Sequence, residues 1–354
     1  MAIYYYMYFL VLGGIVPAGI DDPRWRRLLQ KIYVPFLLFA LLLFASLRSP
    51  TVDRDYLNYL AWFDAIATGG MTALDWIKDP GFVLVLRIAA ALKMSYVGAT
   101  FALVALALAG TVRFAWITSK NNFLTIFIYL VFCRFFLAQE MTAIRAGVAI
   151  PLLSLSIFLM YRGQKKLATV LFLIAVSFHL TALLALPIVL LAMCQVRLKS
   201  YWWMGAMIPT VILLRISAQS ILNAVSQLDR ISPYLNGSVE IGSINVHSVY
   251  LLAHVWVMSL VVCFLWKKMS PEERLSVFCS GIGLSVLLLF SFNSTIALRS
   301  SELFGLFDVV VFLIPMNYLK RSQAHVYLFV LVVFGAAFFI SDLSIVQPYR
   351  WVLG

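Results

Sequence analysis

The sequence predicts an all-α fold, a polytopic membrane helix bundle of about twelve transmembrane helices. Three observations predict this fold. The composition is 63% hydrophobic, with a mean hydropathy of +0.96. Only 12% of the residues are charged, which is about half the fraction in soluble domains. The apolar residues also fall in runs long enough to cross a bilayer, separated by short loops rich in Lys and Arg.

We expect the crossings to form one membrane domain over residues 1–354. The predicted crossings are 4–20, 32–47, 96–117, 123–138, 143–161, 167–178, 180–194, 201–216, 247–266, 275–291, 300–319 and 324–340. Basic residues accumulate in every second loop, and the positive-inside rule places these loops in the cytoplasm. Both termini are therefore expected on the outer, periplasmic side.

Two outer segments, 48–95 and 217–246, are long enough to carry a site and to enclose a periplasmic cavity. The piece 81–94 carries Arg87 and Lys93 and is short for a crossing. A crossing there would also break the alternation of basic loops, so we expect an in-plane helix. The second segment is polar and rich in Ser, Asn and Gly, which is typical of a mobile lid.

Charge and motifs exclude several functional classes. The net charge of +12 arises largely from the basic loops, so membrane orientation explains it better than nucleic-acid binding. The four cysteines lie in apolar runs without a C-x-x-C pair, which argues against a disulfide framework and a zinc site. No Gly-rich phosphate loop, G-x-S-x-G or H-E-x-x-H occurs, which argues against an ATPase, a serine hydrolase and a zincin. His247 and His254 are about 10 Å apart along one helix, so we expect no metal site and a hydrogen-bonded His254.

The cations on the predicted outer side are almost all arginines, an imbalance that membrane orientation does not explain. Arg suits phosphate because its planar fork donates two parallel hydrogen bonds and stays charged. A pyrophosphate at the membrane interface would need several such forks. Our first candidates are Arg145 and Arg299, followed by Arg134 and Arg350. Snorkelling toward lipid headgroups is the alternative for Arg299 and Arg350.

Arg145 and His179 are the polar residues of an otherwise apolar stretch. Charges at membrane depth are costly, so they usually face a cavity or a partner. His179 ends a short predicted crossing before a tight turn, which places it at a depth similar to that of Arg145. The alternative is that Arg145 only pairs with Glu140 while His179 caps a helix break. The pair and its cationic surroundings favour an outward-facing functional pocket.

A short motif in the first outer segment, Asp53-Arg54-Asp55-Tyr56, resembles a D-x-D metal site only weakly. Together with Tyr59, the residues Asp55 and Tyr56 offer a carboxylate and aromatic platforms to a sugar. A helix N-terminus with an acidic first turn is an equally good interpretation.

Five stretches carry a resemblance to a known family: "DRDYLNY", "AIRAGVAIPLLSLS", "IAVSFHLTALLALP", "ALRSSELF" and "QPYR". In this order they resemble the EpsG-like branch of the Wzy-type polysaccharide polymerases, over residues 53–350. One departure is Ala146, where that branch commonly has Gln.

The resemblance implies a bacterial enzyme of the inner, cytoplasmic membrane with its active site facing the periplasm. It would build O-antigen or exopolysaccharide by moving a growing glycan from undecaprenyl pyrophosphate to the non-reducing end of another lipid-linked repeat unit. The implied partners are undecaprenyl-pyrophosphate-linked oligosaccharides, membrane lipid and a chain-length-determining co-polymerase. No nucleic acid, cofactor or metal is expected.

In this scheme Arg145 and Arg299 bind the donor pyrophosphate, and His179 accepts the acceptor's proton because the ordinary pKa of imidazole is near working pH. Glu140 is the alternative base. A lipid-linked oligosaccharide flippase, an O-antigen ligase and a membrane acyltransferase are the competing functions.

Overall fold

The computed structural model describes residues 1–16, 23–70, 79–119, 123–195, 244 and 248–352. Within these ranges the chain consists of helices joined by turns and short connections, with an isolated antiparallel bridge between Arg48 and Trp351. The predicted all-α fold class is therefore confirmed for the part of the chain that is described.

Fourteen α-helices follow one another in the described residues. They are α1 Ala2–Gly13, α2 Pro23–Ser46, α3 Tyr56–Ala67, α4 Pro80–Ala91, α5 Tyr96–Thr118, α6 Leu124–Val131, α7 Ile144–Tyr161, α8 Lys165–Phe178, α9 Leu186–Met193, α10 Val249–Leu260, α11 Pro271–Leu289, α12 Ser294–Ser301, α13 Gly305–Leu313 and α14 Arg321–Asp342. Two continue as π-helix, α6 through Phe132–Thr142 and α10 through Val261–Leu265. A 3₁₀ helix, Leu180–Ala185, joins α8 to α9.

Five helices in the described ranges are long and apolar enough to cross a membrane. They are Leu28–Ser46, Tyr96–Thr118, Leu124–Thr142, Ile144–Tyr161 and Arg321–Ile345. Each overlaps one predicted crossing, which supports a polytopic membrane protein. The other seven crossings stay predictions, and the one at 201–216 lies outside the described residues, as does almost all of the segment 217–246.

Burial distinguishes the central helices from the peripheral ones. In Leu124–Thr142 and in Ile144–Tyr161, 89% of the apolar window is buried. The corresponding fractions are 28% for Leu28–Ser46 and 33% for Arg321–Ile345. A helix that is apolar all round and buried belongs to a core, so the first two helices are central. The two peripheral helices expose apolar side chains, as expected of helices that face lipid.

Helix α4 has twelve residues, which corresponds to a length of about 18 Å. The hydrocarbon core of a bilayer is about 30 Å thick, so α4 is too short to cross alone. The exposed side chains of Leu84 and Ile88 and of Leu92, its C-cap residue, lie four residues apart and form one apolar stripe. This pattern is typical of a helix in the plane of the interface.

The chain groups into two compact units. The first comprises Met1–Met160, Gln164–Leu183 and Leu319–Gly354, and the second comprises Tyr161–Gly163 and Leu184–Tyr318. The single membrane domain expected over residues 1–354 stays a prediction.

A buried polar network joins α10, α11 and α13 in the second unit. His254 Nε2 lies 2.9 Å from Ser280 Oγ, which donates to Asp308 Oδ1 at 2.7 Å. Tyr250 donates to the other oxygen of Asp308 at 3.2 Å. His254 is therefore hydrogen-bonded within the helix packing, as the sequence predicts. Polar contacts of this kind hold helices together where unsatisfied groups are costly.

In the first unit the C-terminal segment runs alongside the chain that enters α3. Ser49 N donates to Arg350 O, Gln347 N to Val52 O and Val352 N to Leu47 O, each at 2.9 Å. These backbone hydrogen bonds tie the segment 347–352 to residues 47–52.

A buried ion pair sets the start of α3. Arg48 Nε lies 2.6 Å from Asp53 Oδ2, and both side chains are 0% exposed. The other oxygen of Asp53 accepts the backbone N–H groups of Asp55 at 2.9 Å and Tyr56 at 2.8 Å. Because the first amides of a helix lack partners within it, the Asp53 carboxylate satisfies the amides at the start of α3, where Asp55 is the N-cap residue. The orientation of α3 therefore depends on Arg48 and Asp53.

We expect Asp53→Ala to lower the unfolding free energy by about 3 to 5 kcal/mol, since it leaves the Arg48 charge buried without its partner. The measurement is thermal and denaturant unfolding of the detergent-solubilised protein. Asp64→Ala is the matched control, because Asp64 is exposed on the same helix and its loss should change stability by about 0.5 kcal/mol or less. Equal stability of the two variants would contradict the assigned role of the pair.

Candidate active site

Arg145 lies in the first turn of α7, directly after the break at Ala143 that ends the π-helical segment. Its Nη1 forms an ion pair with Asp79 Oδ2, and its Nε donates a long hydrogen bond of 3.4 Å to Tyr59 OH. Its Cζ lies 5.3 Å from the ring centroid of Tyr59 and 5.4 Å from that of Trp62. A carboxylate and two aromatic rings thus hold the guanidinium, while 28% of the side chain stays exposed.

Asp79 is the residue that organises this arrangement. Its backbone has φ 128° and ψ 67°. Residues other than Gly rarely adopt this conformation, and where they do they are often found at functional sites. Pro80 follows and begins α4. Besides the ion pair with Arg145, Asp79 Oδ1 accepts the backbone N–H of Leu180 at 3.2 Å. One carboxylate therefore joins α4, α7 and the 3₁₀ helix after α8.

His179 ends α8 with an extended backbone, φ −152° and ψ 107°, directly before Leu180. Since Asp79 bonds both Arg145 and the amide of Leu180, it links the arginine to the chain beside His179. The structure thus places His179 one residue before the backbone amide that bonds the same carboxylate as Arg145. Their catalytic roles stay a prediction.

Two glycines permit the close packing around the site. A Cβ at Gly147 would lie 3.0 Å from Gln139 O, so the first turn of α7 packs on the backbone of the π-helical segment. A Cβ at Gly81 would lie 3.1 Å from the backbone carbon of Ser177, so the start of α4 packs on the end of α8. A larger residue at either position would require the backbone to move.

A cavity of about 340 Å³ lies beside the guanidinium. It is lined by Asp55, Asn58, Tyr59, Ala61, Trp62 and Arg145. Apart from the arginine, these residues come from α3 and the residue before it, spaced three and four apart on one helix face. Burial raises the pKa of Tyr59, so its hydroxyl keeps its proton at neutral pH while it accepts from Arg145. The cavity therefore combines a cation, a carboxylate, an amide and aromatic rings.

Glu140 and Gln139 lie in the π-helical segment and are 2% and 3% exposed. Among the described residues, Glu140 Oε2 and Gln139 Nε2 have no hydrogen-bond partner. The sequence left open an ion pair between Arg145 and Glu140, whereas the structure pairs Arg145 with Asp79. Glu140 thus has acceptor capacity left, and π-helical segments are frequent at functional sites.

The other predicted arginines lie on other elements of the chain. Arg134 forms an ion pair with Asp342 at 3.3 Å, which ties the π-helical segment to α14. Arg350 is exposed in the C-terminal segment, and Arg299 is exposed in the last turn of α12 in the second unit. Their participation in a common phosphate site with Arg145 stays a prediction.

The D-x-D resemblance has a structural explanation in this chain. Asp53 is engaged by Arg48 and by two backbone amides, so its oxygens serve the fold. Tyr56 is 2% exposed and its ring lies under the guanidinium of Arg48, at 5.4 Å from Cζ. Of the residues predicted to contact a sugar, Asp55 and Tyr59 line the cavity, whereas Tyr56 supports the start of α3.

Sequence reasoning missed Asp79, Asn58 and Trp62. The Asp-Pro-Gly run at 79–81 is a helix-start signal that places an acidic residue directly before α4. Trp62 follows Tyr59 by three residues, so helical spacing alone places it on the same face. Both signals are present in the sequence, but the sequence does not show which residue each side chain contacts.

The helices define a polytopic α-helical membrane protein, and its arginine cavity is suited to an anionic ligand. The sequence model of the EpsG family matches residues 31–351, which is nearly the whole chain. The chain therefore belongs to the EpsG family, a family of Wzy-like polymerases. This membership makes it a glycosyltransferase-like polymerase of exopolysaccharide biosynthesis. No curated protein and no solved structure matches the chain.

We expect Asp79→Asn to lower polymer formation about tenfold or more at normal protein levels, because the amide cannot hold the Arg145 guanidinium as a carboxylate does. The Asn oxygen can still accept from the Leu180 amide, so the fold should survive. Polymer length and amount on a glycan gel, with quantified membrane protein, provide the measurement. Asp64→Asn is the control on an exposed carboxylate. Wild-type amounts of polymer in Asp79→Asn would contradict the role assigned to Asp79 in holding Arg145.

Proposed function

We propose that the protein is a polysaccharide polymerase that acts on two lipid-linked oligosaccharides at the periplasmic face of the bacterial inner membrane. It transfers the growing glycan from undecaprenyl pyrophosphate to the non-reducing end of another undecaprenyl-pyrophosphate-linked repeat unit. Family membership supports the reaction class, and the observation that carries the finer proposal is the Arg145 guanidinium presented to a cavity beside α3.

The donor site in this proposal is centred on Arg145. A guanidinium has five N–H donors, and its contacts with Asp79 and Tyr59 engage two of them. The remaining donors suit phosphate oxygens of the donor pyrophosphate. The ion pair with Asp79 keeps the cation oriented before substrate arrives, which reduces the reorganisation that binding requires. Arg134, Arg299 and Arg350 are further candidates for phosphate contacts.

The chemistry is a glycosyl transfer. The bond between the anomeric carbon and the pyrophosphate oxygen breaks, and the acceptor hydroxyl oxygen forms the new bond to that carbon. Negative charge grows on the departing pyrophosphate, so Arg145 stabilises the transition state more than the ground state. In this role a guanidinium takes the place that a divalent cation has in other glycosyltransferases, and we propose that the transfer needs no metal.

The acceptor hydroxyl must also lose its proton. We propose His179 as the general base, because the residue after it, Leu180, bonds the carboxylate that holds Arg145, and because a neutral imidazole accepts a proton near neutral pH. Glu140 is the alternative base, since its Oε2 has no hydrogen-bond partner among the described residues.

The physiological setting of the proposal includes two more components. Membrane lipid surrounds the apolar helices, and a chain-length-determining co-polymerase sets how many repeat units are joined. Co-purification of the full-length protein with that co-polymerase from the native membrane tests the second component. If the co-polymerase is missing from the purified sample in every detergent tested, this component of the proposal is contradicted.

We expect Arg145→Ala to lower polymerisation about a hundredfold or more, the effect of losing a group that stabilises transition-state charge. Arg145→Lys should also be impaired, about tenfold or more, because an ammonium is a point charge without the bidentate fork. The measurement is polymerisation by the purified protein in lipid nanodiscs, in the presence of EDTA. Arg113→Ala, an exposed arginine on α5, is the matched control.

Substantial polymer from Arg145→Ala would remove this residue from the mechanism, and strict dependence on added metal would overturn metal independence. The glycan phenotype of a deletion strain separates the competing functions. Loss of a polymerase leaves one repeat unit on the final acceptor, loss of a flippase leaves none, and loss of a ligase leaves polymer on its lipid carrier.

If His179 is the base, the polymerisation rate should fall as the pH falls through the range where imidazole gains a proton. His179→Gln should then be slower by about a hundredfold, in the range typical of general bases, and should lack that limb of the pH profile. The check is the rate between pH 5 and 9 for both proteins. An unchanged rate and profile in His179→Gln would shift the role to Glu140 or to no residue.

A further inference from the structure

The cavity beside Arg145 contains three side chains whose chemistry a phosphate does not use. Asp55, Asn58 and Trp62 lie on the face of α3 that turns toward the guanidinium. Asn58 is exposed, and Asp55 and Trp62 are half-buried, so a ligand in the cavity can reach all three. A carboxylate and an amide beside a cation form a polar surface that matches a ligand with hydroxyl groups next to its negative charge.

Trp62 is the aromatic platform that the cavity offers to a ligand. Its ring is supported by Phe82 of α4, with centroids 6.0 Å apart, and by the Arg145 guanidinium. Tyr59 is 4% exposed and is used to hold Arg145, whereas Tyr56 is packed against Arg48 and Tyr96. An indole has an apolar face and one N–H donor, and this combination suits the apolar face and the hydroxyl rim of a sugar ring.

The volume of the cavity limits what it can hold. At about 340 Å³ it is at the small end of ligand sites, which span about 300 to 1,000 Å³. A single sugar ring fits this space better than an oligosaccharide. Since the guanidinium lies in the same cavity, the ring that enters it is the one that carries the phosphate.

We propose that Asp55, Asn58 and Trp62 form the subsite for the sugar attached directly to the donor pyrophosphate. The proposal rests on the proposed function and deepens it, because it assigns the recognition of the first sugar to one face of α3. Trp62 stacks on the ring, and Asp55 and Asn58 bond its hydroxyl groups. A site whose polar side chains are placed to hydrogen-bond a sugar hydroxyl discriminates strongly against a sugar that lacks that hydroxyl. Asp55 and Asn58 therefore determine which sugar is accepted.

Two ligands separate the sugar subsite from the phosphate site. One is undecaprenyl pyrophosphate, which has no sugar, and the other is the lipid-linked repeat unit purified from cells without the polymerase. Binding of each is measured to the full-length protein in nanodiscs of defined lipid. We expect Asn58→Ala and Trp62→Ala to weaken binding of the lipid-linked repeat unit about tenfold, the equivalent of one or two lost hydrogen bonds or contacts. Binding of undecaprenyl pyrophosphate should change less than about twofold in Asn58→Ala. Trp62→Ala also removes a ring that contacts the Arg145 guanidinium, so we expect it to weaken this ligand as well.

The controls keep the outcome decisive. Arg145→Ala should weaken both ligands, and Trp116→Ala, an exposed tryptophan on α5, should weaken neither. Asn58 is exposed, so Asn58→Ala retains the fold and tests the subsite even where Trp62→Ala does not. The subsite is refuted if Asn58→Ala leaves both affinities unchanged or weakens both equally. The proposed function fails in a different way, when Arg145→Ala still polymerises and still binds undecaprenyl pyrophosphate as the wild type does.

Discussion

The ion pair between Arg145 and Asp79 is the interaction on which the site depends. It connects the start of α4 with the first turn of α7, and through the Leu180 amide it reaches the end of α8. A guanidinium near the membrane is costly without a partner, and Asp79 supplies one. The backbone strain at Asp79 is the cost of placing its carboxylate where these three elements meet.

A second guanidinium–carboxylate pair in the same unit shows what a purely structural version looks like. The side chains of Arg48 and Asp53 are 0% exposed, and Asp53 also accepts the first amides at the start of α3. The same two chemical groups form the Arg145 pair, but the Arg48 pair is buried, so a ligand cannot contact it. Exposure of the guanidinium to a cavity, rather than the presence of a charge, separates the functional candidate from the structural one.

The two pairs act together on α3. Arg48 and Asp53 set where this helix begins, and Tyr59 and Trp62 on its inner face then contact Arg145. The C-terminal segment is hydrogen-bonded to the chain before α3, so residues far apart in sequence stabilise one helix. A site assembled in this way keeps its geometry because α3, which lines the cavity, is fixed by Arg48 and Asp53, which do not line it.

The sequence by itself determined that the protein is a helical membrane protein of the EpsG family, since hydropathy and motif order depend only on the order of residues. It also singled out Arg145 and His179, because a charge in an apolar run is rare enough to notice. Only the tertiary structure decided that Asp79 rather than Glu140 pairs with Arg145, that Tyr56 is buried, and that Trp62 and Asn58 line the cavity. The physical reason is that such pairings join residues far apart in the chain, and helical periodicity predicts neighbours on one helix but not which helix faces it.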